Sequence, residues 1–255
     1  MSGAGADVGV FGGSGFYAFL EDTTEVVVDT PYGPPSAPIT IGTVGERRVA
    51  FLPRHGRRHE LGPHAVRYRA NVWAMHSLGV QSLLSPCACG SLQPELHPED
   101  IVVVDQLVDR TWGRADSFHL DGQVHHVAFA DPYDADLRRL LVTAGRELGL
   151  TVHDGGTLVV IQGPRFSTRA ESAWFRAQGW AVVNMTGYPE AVLAAELALP
   201  FAAIALVTDY DAGIDGAEPV SQDAVFAVLE RNVHRVRALL EQVIPALPEA
   251  PSRAG

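Results

Sequence analysis

Seven short apolar runs, separated by stretches of helix length and helix period, constrain the fold of this chain more than any other feature. Val8 to Phe11, Val49 to Leu52, Ser82 to Ser85, Ile101 to Val104, Leu158 to Ile161, Ala181 to Val183 and Phe201 to Val207 read as strands. Most are rich in Val, Ile or Leu and apolar on both faces. Val66 to Leu78, Ala135 to Leu148, Thr168 to Gln178, Pro189 to Leu197 and Ser221 to Val243 read as helices. The last carries Val225, Val228, Leu229, Val233, Val236, Leu239, Leu240 and Val243 as one apolar stripe, with Ser221 as its N-cap. Strands buried on both faces need helices on both sides. The alternation therefore predicts a single α/β domain over residues 1–255, with a twisted, mostly parallel or mixed central sheet flanked by helices and flexible tails at 1–6 and about 246–255. Asp105 to His126 fits neither period and is expected to be a long excursion that carries function or meets a partner.

The 255 residues carry 19 Lys and Arg against 30 Asp and Glu, a formal charge of −11. So acidic a surface argues against nucleic acid and against anionic membranes as partners. Taken alone it also disfavours small anions, but net charge sets the far field and a local set of donors overrides it. Cys87 and Cys89 are the only cysteines. They are expected unbridged, on opposite faces of an extended segment, in a reducing cytoplasm. Neither a secretory leader nor a membrane span is expected, since no apolar run reaches roughly 18 residues.

Several turns carry residues suited to chemistry. Gly12-Gly13-Ser14-Gly15 follows a strand, where glycine N–H groups can approach an anion and Ser14 adds a hydroxyl. A Walker A lysine is absent and no clear helix follows, so a plain tight turn stays open beside the anion reading. Arg54-His55-Gly56-Arg57-Arg58-His59 is the one dense basic run, and it stands at the carboxyl end of a strand, where open α/β sheets bind ligands. The arginine fork matches phosphate oxygens, although a charge run can equally be a solvated face. His55, His59 and His64 match no common zinc spacing, so no metal is expected. In Thr208-Asp209-Tyr210-Asp211, carboxylates two apart on one strand face converge, and their mutual repulsion would raise one pKa toward that of a usable acid. The alternative is an Asp that caps a turn. Phe166, in Gly163-Pro164-Arg165-Phe166-Ser167, is suited to lie against a flat ring, and Thr168 with Glu171 forms a capping box. Met185, between Asn184 and Thr186, reads on its own as core.

With Ala88-Cys89-Gly90-Ser91, these motifs run in order from Val8 to about Leu240. As a set they resemble the trimeric nucleoside phosphorylase family and, within it, the S-methyl-5'-thioadenosine phosphorylases. The resemblance implies phosphate held by Ser14, Arg54, His55, Cys87, Ala88 and Thr186, and a nucleoside resting on Phe166 and Met185. Relatives usually carry Thr where this chain has Cys87. A thiol is the poorer donor, so the backbone N–H of Cys87 is expected to carry that contact. Asp209 is then the catalytic residue that protonates or holds purine N7, and with Asp211 it would read the base. Carboxylates accept from a 6-amino group and not from a 6-oxo group, so adenine is expected over hypoxanthine or guanine. Ser167, Gln222, Val225, Phe226 and, from a neighbouring copy in a homotrimer, His126 would line the 5' pocket. The implied reaction needs inorganic phosphate as co-substrate and neither metal nor organic cofactor. It yields adenine and 5-methylthioribose 1-phosphate in purine and methionine salvage. The alternative within the fold is a purine nucleoside phosphorylase preferring adenosine, a 5'-halo-nucleoside or a 6-oxopurine. A nucleoside sensor without turnover and a dinucleotide-binding dehydrogenase are the readings from other classes.

Overall fold

All seven apolar runs form strands and all five periodic stretches form helices in the computed structural model, which describes residues 5–12, 20–119, 122, 124–214 and 220–248. Ser14 and the outer parts of both tails lie outside the described residues. In chain order the elements are β1 (Val8–Gly12), β2 (Glu21–Val26), β3 (Ile39–Val44), β4 (Arg47–Pro53), α1 (Tyr68–Ser77), β5 (Ser82–Ser91), β6 (Ile101–Val103) and β7 (Gln106–Arg110). Then follow α2 (Ala135–Glu147), β8 (Val152–Asp154), β9 (Thr157–Ile161), α3 (Arg169–Ala177), β10 (Val182–Asn184), α4 (Gly187–Glu196), β11 (Phe201–Asp209) and α5 (Gln222–Ala246).

The strands form one mixed sheet in the order β2-β3-β4-β1-β5-β10-β9-β7, with β11, β6 and β8 branching from β5. Helices cover both faces, as strands apolar on both sides require. Leu137 and Leu141 of α2 with Val236, Leu239 and Leu240 of α5 bury against Val8, Phe51 and Ile204. On the other face, Val72 and Met75 of α1 and Leu193 of α4 bury with Phe11, Ile39 and Leu83. The chain is one α/β domain.

Four strands were not anticipated. β2 is an exposed strand of acids and threonines at the sheet edge, where charge blocks pairing with another chain, so it has no apolar run to reveal it. β3 has Gly42 and threonines among its buried isoleucines; β7 begins the segment taken for a pure excursion, and β8 has only three residues.

β5 is ten residues long where the sequence marks only Ser82 to Ser85 as strand, and the sheet forks along it. Val8 to Val10 of β1 pair with Ser82 to Leu84, whereas β10 joins antiparallel only at Gly90 and Ser91. β11 occupies the opposite edge from Leu83 to Gly90. Between Leu84 and Gly90, the edge facing β1 and β10 thus has no strand partner among the described residues. Cys87 and Cys89 fall in this window, both free. Being two apart on one strand they share a face, which corrects the expectation of opposite faces.

Two expected caps form. The Ser221 hydroxyl accepts from the Ala224 N–H at the start of α5. The Thr168 hydroxyl accepts from the Glu171 N–H at 3.1 Å while the Glu171 carboxylate accepts from the Thr168 N–H at 2.7 Å. Thr168→Ala leaves both the fold and the cavity below intact and removes half of this box. The expected cost is about 1 kcal/mol, read as a fall of about 2–4 °C in Tm for a domain of this size.

Candidate active site

A cavity of about 390 Å³ opens where β4, β9, β10 and β11 end and where β5 has its free edge. Arg54, His55, Cys87, Ala88, Phe166, Met185, Thr186, Asp209, Asp211, Gln222, Val225 and Phe226 all line it. Three other expected participants are not among these, and Met185, which reads as core in isolation, is there as the resemblance implies. Ser167 stands outside the lining, beside Asp211. His126 is exposed and away from the cavity of its own chain, and Ser14 lies outside the described residues.

At one end, Arg54 follows β4 and is buried to 3% exposure. Burial drives its guanidinium down, but the adjacent Glu190 carboxylate more than offsets this and holds it above its usual value. The fork expected to grip phosphate is engaged internally: Nε donates to Glu190 Oε1 at 2.5 Å and Nη2 to Oε2 at 3.1 Å. Next to it, His55 Nδ1 meets the Leu61 carbonyl at 2.8 Å. A carbonyl only accepts, so Nδ1 carries the proton and Nε2 is the free nitrogen. Burial, then the Arg54 charge, pushes His55 down to about 4, so it is neutral at physiological pH. Its ring stacks on His59 at 4.4 Å, and His59 meets Phe226 of α5 edge-on at 5.4 Å. The rest of the basic run points outward. Arg57 pairs with Glu25 on the surface, and Arg58 is exposed.

Two polar side chains frame the Cys87 wall. The Asn184 amide donates to Cys87 Sγ at 3.3 Å and its carbonyl accepts from the Thr186 and Gly187 N–H groups. Asn184 thereby caps the turn that Thr186 would otherwise cap, and the Thr186 side chain makes no cap bond. Burial pushes the Cys87 thiol up to about 11, so it stays neutral.

At the other end, Asp209 closes β11 and Asp211 follows in a turn, with its φ of 48° in the left-handed region that Asp tolerates. The carboxylates converge through this turn and not through strand alternation. The Asp211 N–H donates to Asp209 Oδ1 at 2.8 Å, and the Thr208 hydroxyl lies 2.7 Å from Oδ2. Asp209 is raised to about 6, as anticipated, but burial is the main cause and repulsion from Asp211 the least. Asp211 is raised too, again by burial first, with Ser172 and Ser167 close enough to hold the rise down. Its Oδ2 and the Ser167 hydroxyl are nonetheless buried without a hydrogen-bond partner of good geometry. Such atoms ask for a ligand that supplies the missing bonds. Gly90 is what lets both carboxylates approach β5. A Cβ there would lie 2.9 Å from Asp209 Oδ1 and 3.0 Å from Asp211 Cβ.

The arrangement therefore sets an arginine, a neutral histidine and a strand edge at one end of a cavity, and a carboxyl pair that burial raises above the usual carboxylate range at the other. Residues 7–245 match the model of the phosphorylase superfamily. The chain belongs to this superfamily. Among curated members, S-methyl-5'-thioadenosine phosphorylase of Mycolicibacterium smegmatis is 59% identical over 94% of this chain and 91% of its own length. Purine nucleoside phosphorylase of Streptomyces coelicolor is 52% identical over 97% of this chain and 91% of its own. Among solved structures, a variant of adenosine/methylthioadenosine phosphorylase from Schistosoma mansoni in complex with adenine superposes with a TM-score of 0.91. It is 38% identical and covers 94% of this chain and 91% of its own.

Glu190 and Asn184 are the site residues that the sequence does not single out, and His59, part of the basic run, is not marked there as a wall of the cavity. Asn184 was quoted only as a neighbour of Met185. Glu190 had one signal, an acid followed directly by the apolar Ala191, Val192 and Leu193 of its helix. That pattern is also what an ordinary acidic first turn looks like.

Proposed function

We propose that this chain cleaves the N-glycosidic bond of S-methyl-5'-thioadenosine, or a closely related 5'-deoxyadenosine, with inorganic phosphate as co-substrate. The products are adenine and 5-methylthioribose 1-phosphate, which suits purine and methionine salvage. The observation that carries this reading is the carboxyl pair Asp209 and Asp211 in the same cavity as Arg54 and His55. A phosphate oxygen attacks the anomeric carbon from the Arg54 end while the bond to purine N9 breaks with its electron pair going to the base. Asp209 passes a proton to N7 as that charge develops, which stabilises the leaving group. Asp211, with its unpartnered Oδ2, accepts from the 6-amino group. Phe166 and Met185 hold the nucleoside between the two ends; Ala88 offers its backbone N–H on the free edge of β5, Cys87, whose N–H faces β11 as that of Leu83 does, offers its side chain, and Thr186 offers its hydroxyl. Ser14 completes the phosphate set.

The pocket for the 5' group is built from Gln222, Val225 and Phe226 of α5, with Ser167 nearby and His126 of a neighbouring copy in a homotrimer. The exposed Trp112, in the irregular stretch before His126, fits a surface that another copy covers. A reducing cytoplasm fits the two free cysteines, and no helix among the described residues is long and apolar enough to cross a membrane. Gln222 favours one second reading, in which adenosine or a 5'-halo-nucleoside is the better substrate, because its amide can pair with a polar 5' group. Steady-state rates for methylthioadenosine, adenosine, inosine and a 5'-halo analogue, each with and without phosphate, decide among these. Adenine release that needs phosphate and is fastest with methylthioadenosine is expected, whereas turnover without phosphate refutes the reaction class.

Protonated Asp209 is the active form, so activity falls as pH rises through its raised pKa of about 6. With phosphate saturating, kcat/KM for the nucleoside should show this alkaline limb. Asp209→Asn should lack it.

A further inference from the structure

We infer that Glu190 is a positioning residue that turns the Arg54 fork away from the cavity and cancels its charge, so that phosphate is gripped by hydrogen-bond donors and not by a free cation. The inference rests on the phosphorolysis reading above. A guanidinium has five N–H donors. Nε and Nη2 are committed to the two Glu190 oxygens, and Nη2 also donates to the Ser85 hydroxyl at 2.6 Å. That hydroxyl donates in turn to Glu190 Oε2 at 2.8 Å, which locks the carboxylate. Only Nη1 is left for the cavity, and its one partner among the described residues is the Pro86 carbonyl at 3.4 Å, a long contact. All of this is buried: Glu190 is 1% exposed and Ser85 2%.

The consequence is electrostatic. Arg54 and Glu190 sum to zero, His55 is neutral because burial and Arg54 lower it to about 4, and the Cys87 thiol is neutral. The described side chains at this end therefore add no net charge to the phosphate they receive. A free arginine would bind ground-state phosphate tightly and neutralise it. A compensated arginine leaves the anion its charge, which attacks the sugar and attracts the cation that develops there. Binding strength is thereby shifted from the ground state to the transition state.

Calorimetric titration with inorganic phosphate and steady-state kinetics on Glu190→Gln and Glu190→Asp test this. One uncompensated unit charge should tighten phosphate binding roughly 10- to 100-fold in Glu190→Gln, while kcat drops about tenfold or more. Glu190→Asp keeps the charge and should keep the phosphate dissociation constant and kcat within about threefold of wild type. Weaker or unchanged phosphate binding in Glu190→Gln, or an undiminished kcat, overturns the inference and leaves Glu190 a scaffold for Arg54. If Glu190→Gln does not fold, Glu190→Asp decides alone: near wild-type binding and kcat support the inference, and loss of either overturns it. Phosphate binding is read without turnover. A wild type that binds phosphate but releases no adenine therefore refutes the proposed reaction, while the binding comparison still decides the role of Glu190.

Discussion

Asp209→Asn will cut phosphorolysis of methylthioadenosine by about 10²- to 10⁴-fold, the range typical for loss of a general acid. The residue sits at the end of β11 with burial as the chief cause of its raised pKa of about 6. An acid so placed is protonated often enough near neutrality to meet the base, and strong enough to release its proton as the bond breaks. Asparagine keeps the size and can still accept from the Asp211 N–H, but has no proton to transfer. Its NH₂ can donate instead, so the residual activity should move toward inosine and guanosine, whose 6-oxo group and N7 both accept. Stability should change little or rise at neutral pH. A carboxyl whose folded pKa is raised loses stability as pH climbs from its unfolded value of about 4 toward 6, and the amide removes that loss. The decisive measurement is the ratio of kcat/KM for methylthioadenosine to that for inosine. An unchanged ratio would sink the assignment of Asp209 to the base.

Gly90→Ala is expected to be as damaging although it removes no reacting group. Its Cβ would sit 2.9 Å from a carboxylate oxygen of Asp209 and 3.0 Å from the Asp211 side chain, closer than carbon tolerates. One of two shifts must follow. Either β11 moves away from β5, which their in-register pairing from Leu83 to Cys89 resists, or the two carboxyl groups, just beyond the register shift between Val207 and Asp209, swing out of register with the base. The second is easier, and a displacement of about 1 Å costs on the order of 10²-fold in rate. We expect a folded protein with phosphate affinity close to wild type and kcat/KM for the nucleoside lowered about 100-fold. Tm and calorimetric phosphate binding separate this from general unfolding. A variant with wild-type kinetics would mean that the turn after β11 gives way freely.

Motif residues were legible because each ends a strand at a turn, and turns leave strong marks in sequence: Gly12, the Arg54-His55 pair, Asp209 with Asp211. The sheet around them was legible where strands are apolar on both faces. β2 and β3 were not, since the first is an exposed, charged edge and the second mixes Gly42 and threonine with its isoleucines. The basic run after β4 illustrates a different limit. Sequence places six residues together, but the turn at positive-φ Gly56 sends Arg54 and His55 into the cavity and Arg57 and Arg58 to the surface. Partners far apart in the chain leave no local mark at all. Arg54 and Glu190 are 136 positions apart, so whether the arginine fork is free or occupied could come only from the fold. The raised pKa of Asp209 was anticipated for the wrong reason, because burial depends on what packs above β11 and repulsion from Asp211 does not.

The fork of the sheet along β5 has one more consequence. Cys87 and Ala88 line the end proposed for phosphate, and Gly90 backs the acid proposed to meet the base, all on one continuous strand. Two to three residues of extended backbone span roughly 7–10 Å. Nucleophile and leaving group are therefore kept apart by a covalent ruler.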